Sequence, residues 1–327
     1  MKPLVTIIIP MFNEEKNIEN CIINLNSQTN QNFNVCFIDD GSNDNTLQIL
    51  QKFLSQNVDF AYEIVKQENK GAAAARETGI RQSKTAYVMF LDCDDKISSD
   101  AINNFIDVYK NYPEQDIYMP NLLIEKADNK NEFFEFYSNE EILEGKECFK
   151  QTLKNWKVHG CNIYNKQLLK KSYSIYHKFN DNYVNNINND EYITRLNFFF
   201  ANKVVRLSYN YIYVNNLNST TKAFNTNMYK VANNCLIFKD IFRDTYQPDI
   251  DLCIFNSTWS LYLYYISNKG KITDTTIWIE SCNNVLDIID YKNIIIESYN
   301  YFLKYVYLWI NIKMRKRYAA FYNRTSI

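Results

Sequence analysis

The chain has 327 residues, with 36 Lys+Arg against 37 Asp+Glu, and a formal net charge of −1 excludes a general nucleic-acid coat, which needs a basic excess. A hydrophobic fraction of 46% and an aromatic fraction of 16% exclude disorder, while 6 glycines and 5 prolines exclude collagen-like and Pro-rich linker classes. The length suggests about two domains, or one large domain with an appendage. Asparagine (about 46 residues) and tyrosine (26) are in excess, a bias that AT-rich codon usage explains as readily as function.

The predicted elements alternate along the first hundred residues. Residues 4–9 form a β-branched apolar run bounded by Pro10. Ile18, Cys21, Ile22 and Leu25 then recur at helix period. Residues 35–38 form a second run, ended by Asp39-Asp40-Gly41-Ser42, and Leu47, Leu50 and Leu54 mark the next helix. A third run at 61–65 precedes an Ala-rich helical stretch at 71–83, and a fourth at 86–91 is ended by Asp92-Cys93-Asp94-Asp95. Strand alternating with helix predicts an α/β fold, with a mainly parallel sheet flanked by helices. In such sheets ligands bind beyond the carboxyl ends of the strands, where the polar clusters fall. Further on, residues 116–124 read as a strand, 140–153 as a helix and 178–190 as an Asn-rich loop. From about Thr226 onward the apolar spacing is mostly helical.

Eight cysteines are scattered without a C-x-x-C pair, and two histidines, His159 and His177, are too few for a His-based metal site. No signal peptide is read at Met1-Lys2-Pro3, and no apolar run reaches the roughly 18–20 residues of a spanning helix. The expectation is a reduced, cytoplasmic protein. After Glu297 no acid appears, whereas Lys304, Lys313, Arg315, Lys316, Arg317 and Arg324 are interleaved with aromatics. That composition suits peripheral contact with the inner face of an anionic membrane, or a terminal helix packed by its aromatic side on the body, or an oligomer contact.

Three clusters carry chemistry. In Asp92-Cys93-Asp94-Asp95, carboxylates at i, i+2 after a buried strand can address one hard divalent cation and its phosphate ligand. In Asp39-Asp40-Gly41-Ser42, a carboxylate can accept the N3–H of a uracil, and Ser42 or Asp44 can cap the following helix. Phe12 could stack on a base or serve as a buried hydrophobe. In the stretch from Asn69 to Arg76, small residues permit close approach, and Lys70 and Arg76 could meet phosphates or hold the aspartates. Neither a Walker loop nor a G-x-G-x-x-G fingerprint is present.

In this order, Val5–Glu14, Phe37–Asp44, Asn69-Lys70-Gly71 with Ala75–Ile80, and Phe90–Asp95 resemble the family 2 glycosyltransferases of the GT-A fold, and more weakly so to about residue 200. The resemblance implies inverting, non-processive transfer from a UDP-sugar with Mn²⁺ or Mg²⁺. The acceptor would be a lipid-linked glycan in bacterial capsule or surface polysaccharide synthesis. It implies a GT-A catalytic domain over 1–220 (a nucleotide-binding half at 1–98, an acceptor half at 99–220) and a helical C-terminal region at 221–327. Pro10, Phe12, Glu14, Asp39, Asp40, Lys70, Arg76, Asp92, Cys93 and Asp94 would bind the nucleotide sugar, with Asp94 and Asp92 toward the metal. Phe12 and the Asp39-Asp40 pair would hold the base. The catalytic base would be Asp190, with Glu191 its rival, at a predicted helix start that favours an ionised carboxylate; Asn189 stands where the family usually has glutamate. The segment 156–166 resembles the acceptor lining, with Asn162 where lysine is often found. The lack of a Q-x-x-R-W segment argues against a processive synthase. The alternatives are a non-catalytic nucleotide-sugar or glycan-binding module and a sugar nucleotidyltransferase. The latter is disfavoured because Met11-Phe12-Asn13-Glu14 replaces its Gly-rich basic loop.

Overall fold

The computed structural model describes residues 2–56, 58–126, 131–154, 156–180, 187–214, 224–297 and 299–314. In chain order the first elements are β1 (Val5–Met11), α1 (Ile18–Asn26), β2 (Asn34–Asp39), α2 (Thr46–Leu54), β3 (Ala61–Lys66), α3 (Ala72–Gln82) and β4 (Tyr87–Phe90). There follow β5 (Lys96–Ile97), α4 (Ala101–Asn111), β6 (Ile117–Glu125), β7 (Glu132–Phe133), β8 (Ile142–Glu144), α5 (Gly145–Lys154), β9 (Ile163–Asn165), α6 (Lys166–Phe179), α7 (Asn189–Phe200) and β10 (Lys203–Val214). The helices α8 (Val231–Ile241), α9 (Gln247–Asn268), α10 (Thr275–Ile288), α11 (Tyr291–Glu297) and α12 (Tyr299–Leu308) complete the chain.

The strands form one sheet in the order β3-β2-β1-β4-β9-β6-β10-β5. β3, β2, β1 and β4 pair in parallel, as do β6 and β10, while β9 runs antiparallel between β4 and β6. This is the mainly parallel α/β sheet read from the sequence. The central strands are apolar throughout because helices cover both faces: Val5, Ile7, Ile8 and Ile9 are all fully buried. On one side Ile18, Cys21, Ile22 and Leu25 of α1 join Ile7, Phe37 and Phe105 in the core. Gly79 sets the approach of α3, since a Cβ there would lie 2.3 Å from the Ile8 side chain.

One expectation needs correction, and one long strand was not expected. Residues 140–153 are not one helix: Ile142–Glu144 pairs with β10 before α5 begins at Gly145. The reason is local, because a Cβ at Gly145 would fall 2.1 Å from the Ala201 carbonyl oxygen and only glycine permits that approach. The 12-residue β10, to which no expected strand corresponds, forms the long partner of β6.

The chain divides into two compact units. One comprises 1–152, 156–174 and 193–222, and holds the sheet; the other comprises 153–155, 175–192 and 223–327. Within the second, Lys239 of α8 pairs with the fully buried Asp251 of α9, which also accepts a bond from Asn293 of α11. Trp278 of α10 is buried against Tyr264, Tyr265 and Tyr229. Among the described residues no helix is long and apolar enough to cross a membrane.

Candidate active site

Parallel neighbours end on the same side of a sheet, so the loops that follow β1 and β2 meet. Met11 lies opposite Asp39, and the Asp40 amide donates to the Met11 carbonyl at 2.8 Å. The two loops are then laced by side chains. The Asn13 amide donates to Ser42 Oγ at 3.0 Å, Asn43 donates to Asn13 Oδ1 at 2.8 Å, and the Glu14 amide donates to Thr46 Oγ1 at 2.7 Å. Asn13 takes a left-handed backbone (φ 57°), which asparagine tolerates well. Phe12 beside it is 42% exposed, so the buried-hydrophobe alternative does not hold. Asp44 carries the capping: its Oδ1 accepts the Thr46 amide at 3.0 Å, and although burial raises its carboxyl, the bonds it accepts from Thr46 and the Glu15 amide together hold it below the usual range.

Asp39 and Asp40 are both buried, and their carboxylates are already engaged. Asp39 Oδ1 accepts the Ser42 amide at 3.1 Å. Asp40 Oδ1 accepts from Gln67 Nε2 (2.7 Å) and the Lys70 amide (2.9 Å), and Oδ2 accepts from the Gly71 amide (2.7 Å). Asp40 thus moulds the Asn69-Lys70-Gly71 turn that starts α3. A carboxylate offers about four lone-pair sites, so Oδ2 retains capacity for a further donor. Gly41 (φ 77°) lies so close that a Cβ would come within 3.1 Å of the Asn69 nitrogen. The Lys70 side chain is exposed.

At the end of β4, one guanidinium nitrogen of Arg76 donates to both oxygens of Asp92, at 2.8 and 3.1 Å. Arg76 therefore holds an aspartate, one of the two roles its position allowed. Asp94 is half-buried two residues on. Burial, reinforced by the charges of Asp94, Asp92 and Asp44 and opposed by a bond from Asn17, raises the Glu14 carboxyl above its ordinary value. Asp95 is pushed up to about 7, chiefly by burial, although it accepts the Tyr211 hydroxyl at 2.7 Å and the Val214 amide at 3.0 Å. Tyr213 is raised by burial and then by Asp95, Asp94 and Asp92. Tyr211 and Tyr213 were missed in the sequence because β10 itself was not expected; their i, i+2 alternation was the available signal. Cys93 contributes no side chain to this surface, for its thiol is buried in the core, 3.9 Å from the Pro10 carbonyl. Pro10 itself is half-buried at the end of β1.

This donor set fits a hard divalent cation. Mg²⁺ and Mn²⁺ accept one or two carboxylates and complete their shell with phosphate oxygens and water, and the mutual repulsion of Glu14, Asp92 and Asp94 would be offset by a cation. Among the described residues no group of three or more His, Cys, Asp or Glu side chains is placed to hold a metal ion, so protein ligands alone would number at most two.

Asp190 and Glu191 occupy the first turn of α7, as expected, with Asp190 exposed and Glu191 half-buried. Both belong to the second compact unit, whereas the aspartates of β4 belong to the first. Asn188 before them is left-handed (φ 55°), and Asn189 is buried. In the segment resembling an acceptor lining, His159 and Asn162 turn inward. Asn162 Nδ2 donates to the His159 carbonyl at 2.8 Å, and burial lowers the His159 imidazole to about 4, so it is neutral. Trp156 is half-buried, with the Arg195 guanidinium 4.3 Å from its ring centre.

Comparison with known proteins places this geometry. The chain is 33% identical over 133 residues to the glycosyltransferase EpsJ of Bacillus subtilis, covering 37% of this chain and 38% of that one. It is 33% identical over 150 residues to the chondroitin synthase of Escherichia coli, covering 45% of this chain and 22% of that one. The matches thus span well under half of those relatives' length. The S. aureus TarS 1–349 structure in complex with UDP-GlcNAc superposes with a TM-score of 0.67 at 16% identity, covering 98% of this chain and 92% of that one, and so shares the GT-A fold. The mannosyltransferase PcManGT from Pyrobaculum calidifontis, in complex with GDP-Man and Mn²⁺, superposes with a TM-score of 0.51 at 14% identity over 94% of this chain and 86% of that one. The family described as Glycosyl transferase family 2 matches residues 6–174, more than half of the chain and all four loop clusters of the site, and the chain belongs to that family.

Proposed function

We propose that the protein is an inverting, metal-dependent, non-processive glycosyltransferase that moves a sugar from a UDP-sugar to a glycan acceptor in bacterial surface polysaccharide synthesis. The observation that carries the reading is Asp92, clamped by Arg76 beside Asp94, at the carboxyl end of a parallel strand. Phe12 offers an exposed ring on which the base stacks, and Asp40 Oδ2 accepts the uracil N3–H with its remaining capacity. Asp94 and Asp92 would hold a divalent cation, which when bound would offset the charge developing on the diphosphate leaving group. Lys70 meets the diphosphate with its exposed ammonium. Arg76 keeps Asp92 aimed, so that the cluster needs little rearrangement as charge develops.

Inversion requires the acceptor hydroxyl to attack the anomeric carbon opposite the departing diphosphate. The new bond joins acceptor oxygen to that carbon, the bond to the diphosphate oxygen breaks, and the hydroxyl proton passes to a carboxylate. Asp190 takes this role, with Glu191 beside it as the alternative acceptor of the proton. The acceptor is taken to be carried on a lipid, which sets the reaction at the cytoplasmic membrane face.

The test is a donor panel of UDP-Glc, UDP-Gal, UDP-GlcNAc and UDP-GalNAc with Mn²⁺, scored for UDP release. The TarS complex makes UDP-GlcNAc the first donor to try. Release from one or more donors, abolished by chelation, is expected. Silence from all four removes the UDP-sugar reading.

A further inference from the structure

α9 and α12 lie side by side and run in the same direction. Phe255 meets Tyr301 and Tyr305, and one to two turns later Trp259 and Tyr262 meet Tyr307. These contacts leave an outer row of apolar side chains. Leu303, Tyr307 and Ile310 recur at i, i+4, i+7 along α12 and the turn that continues it. Leu263 and Ile266 stand one and two turns beyond Trp259 on α9. All five are between 43% and 50% exposed. Contiguous apolar surface of this kind, carried on adjacent helices, marks an interaction site rather than a scatter of single exposed residues.

Within α9 beyond Asp251 and within α12 the charges have one sign, while Asp287 of α10 approaches Tyr305 and Lys313. No acid occurs between Asp251 and Asp274, nor anywhere after Glu297. The Lys304 ammonium sits within the face, 5.6 Å from the Trp259 ring centre and 5.2 Å from that of Tyr301. Lys269 and Lys271 are exposed in the turn after α9. Lys313 pairs with Asp287. Beyond it, outside the described residues, the sequence adds Arg315, Lys316, Arg317 and Arg324. A second copy of this face would bring lysine against lysine. A bilayer with anionic headgroups instead offers negative charge to the lysines and an apolar boundary to the leucine, isoleucine and tyrosine side chains.

We propose that the α9–α12 face docks on an anionic lipid bilayer, lying in its surface without spanning it. This goes beyond the transfer reaction and does not depend on it, because vesicle binding is measured without donor or acceptor. The experiment incubates the full chain with phosphatidylcholine vesicles, with and without phosphatidylglycerol, whose acyl chains are brominated. Co-sedimentation and quenching of tryptophan fluorescence are read, Trp259 being the reporter on this face. Binding to the phosphatidylglycerol vesicles, weakened by salt and absent with phosphatidylcholine alone, is expected. The double variant Leu303→Asp/Ile310→Asp should lower the partition about tenfold with an unchanged circular-dichroism spectrum and UDP affinity. Should that variant fail to fold, Lys304→Glu, a polar-for-polar change, must produce the same direction of loss. Equal binding to both vesicle types, no binding, or binding that survives both variants overturns the proposal. So does a dimer in light scattering that Leu303→Asp dissolves, which would assign the face to a second copy.

Discussion

At the residue scale the site contrasts two kinds of aspartate. Asp39 and Asp40 are buried and accept backbone amides of neighbouring turns. Asp92 and Asp94 are partly exposed, and Asp92 is held by a guanidinium. Two clusters that look alike in sequence therefore differ in burial and in what engages their carboxylates. Asp94→Ala removes a carboxylate from the exposed cluster while leaving the Arg76–Asp92 pair in place. It should cut metal-dependent UDP-sugar turnover by about 10²–10³-fold, since charge stabilisation in the transition state is what the proposed mechanism asks of the cluster. A Mn²⁺ titration of UDP release checks this; wild-type turnover would detach Asp94 from the metal. Asp190→Asn should retain UDP affinity in calorimetry yet lower transfer about 10²–10⁴-fold, the range of a lost general base. Transfer at the normal rate would move that role to Glu191.

At the scale of elements, the position of Arg76 depends on how closely α3 approaches β1, and Gly79 governs that distance. In an exposed helix, Gly→Ala gains about 1 kcal/mol of propensity. At Gly79 the new methyl would meet Ile8 Cγ2 at 2.3 Å in a fully buried contact. Overpacking of that kind costs about 1–3 kcal/mol, which outweighs or cancels the propensity gain. Gly79→Ala should thus lower the urea midpoint or leave it flat, where propensity alone would raise it, and it should weaken UDP release by displacing Arg76 from Asp92. The same elements explain what could be read in advance. β1, β2 and β4 were legible because each is a short apolar run that stops at an acidic or polar cluster, a pattern that burial on two faces demands, whereas β3 is a largely exposed edge strand. β10 was not, because Lys203, Arg206, Ser208 and Asn210 interrupt it and its register shifts between Arg206 and Asn210. With β10 unread, the bonds from Tyr211 and Val214 to Asp95 were out of reach as well. The residues of the four loop clusters were visible; which of them pair, Arg76 with Asp92 and Asp40 with the turn before α3, is set by strand order and had no local signal.

At the scale of the whole molecule, the near-neutral charge of −1 conceals an acidic cluster at the strand ends and an acid-free C-terminal stretch. Cohesion across both units rests on apolar burial instead, and the cysteines report on it. All eight are thiols, and all but Cys161, which is half-buried, are buried. They are spread over both units: Cys21, Cys36, Cys93, Cys148 and Cys161 in the first, Cys235, Cys253 and Cys282 in the second. Burial raises Cys36, Cys148 and Cys282 to about 12, so the reactive thiolate is scarce there as well as inaccessible. A thiol reagent such as Ellman's should accordingly titrate at most one group quickly in the native protein, and eight once guanidinium has unfolded it. Raising denaturant in steps should expose the two sets together if the units unfold cooperatively, and in two stages, five and three, if they unfold apart. Several fast thiols in the native protein would contradict the burial of the core in both units, because a thiol must meet solvent and ionise before it can react.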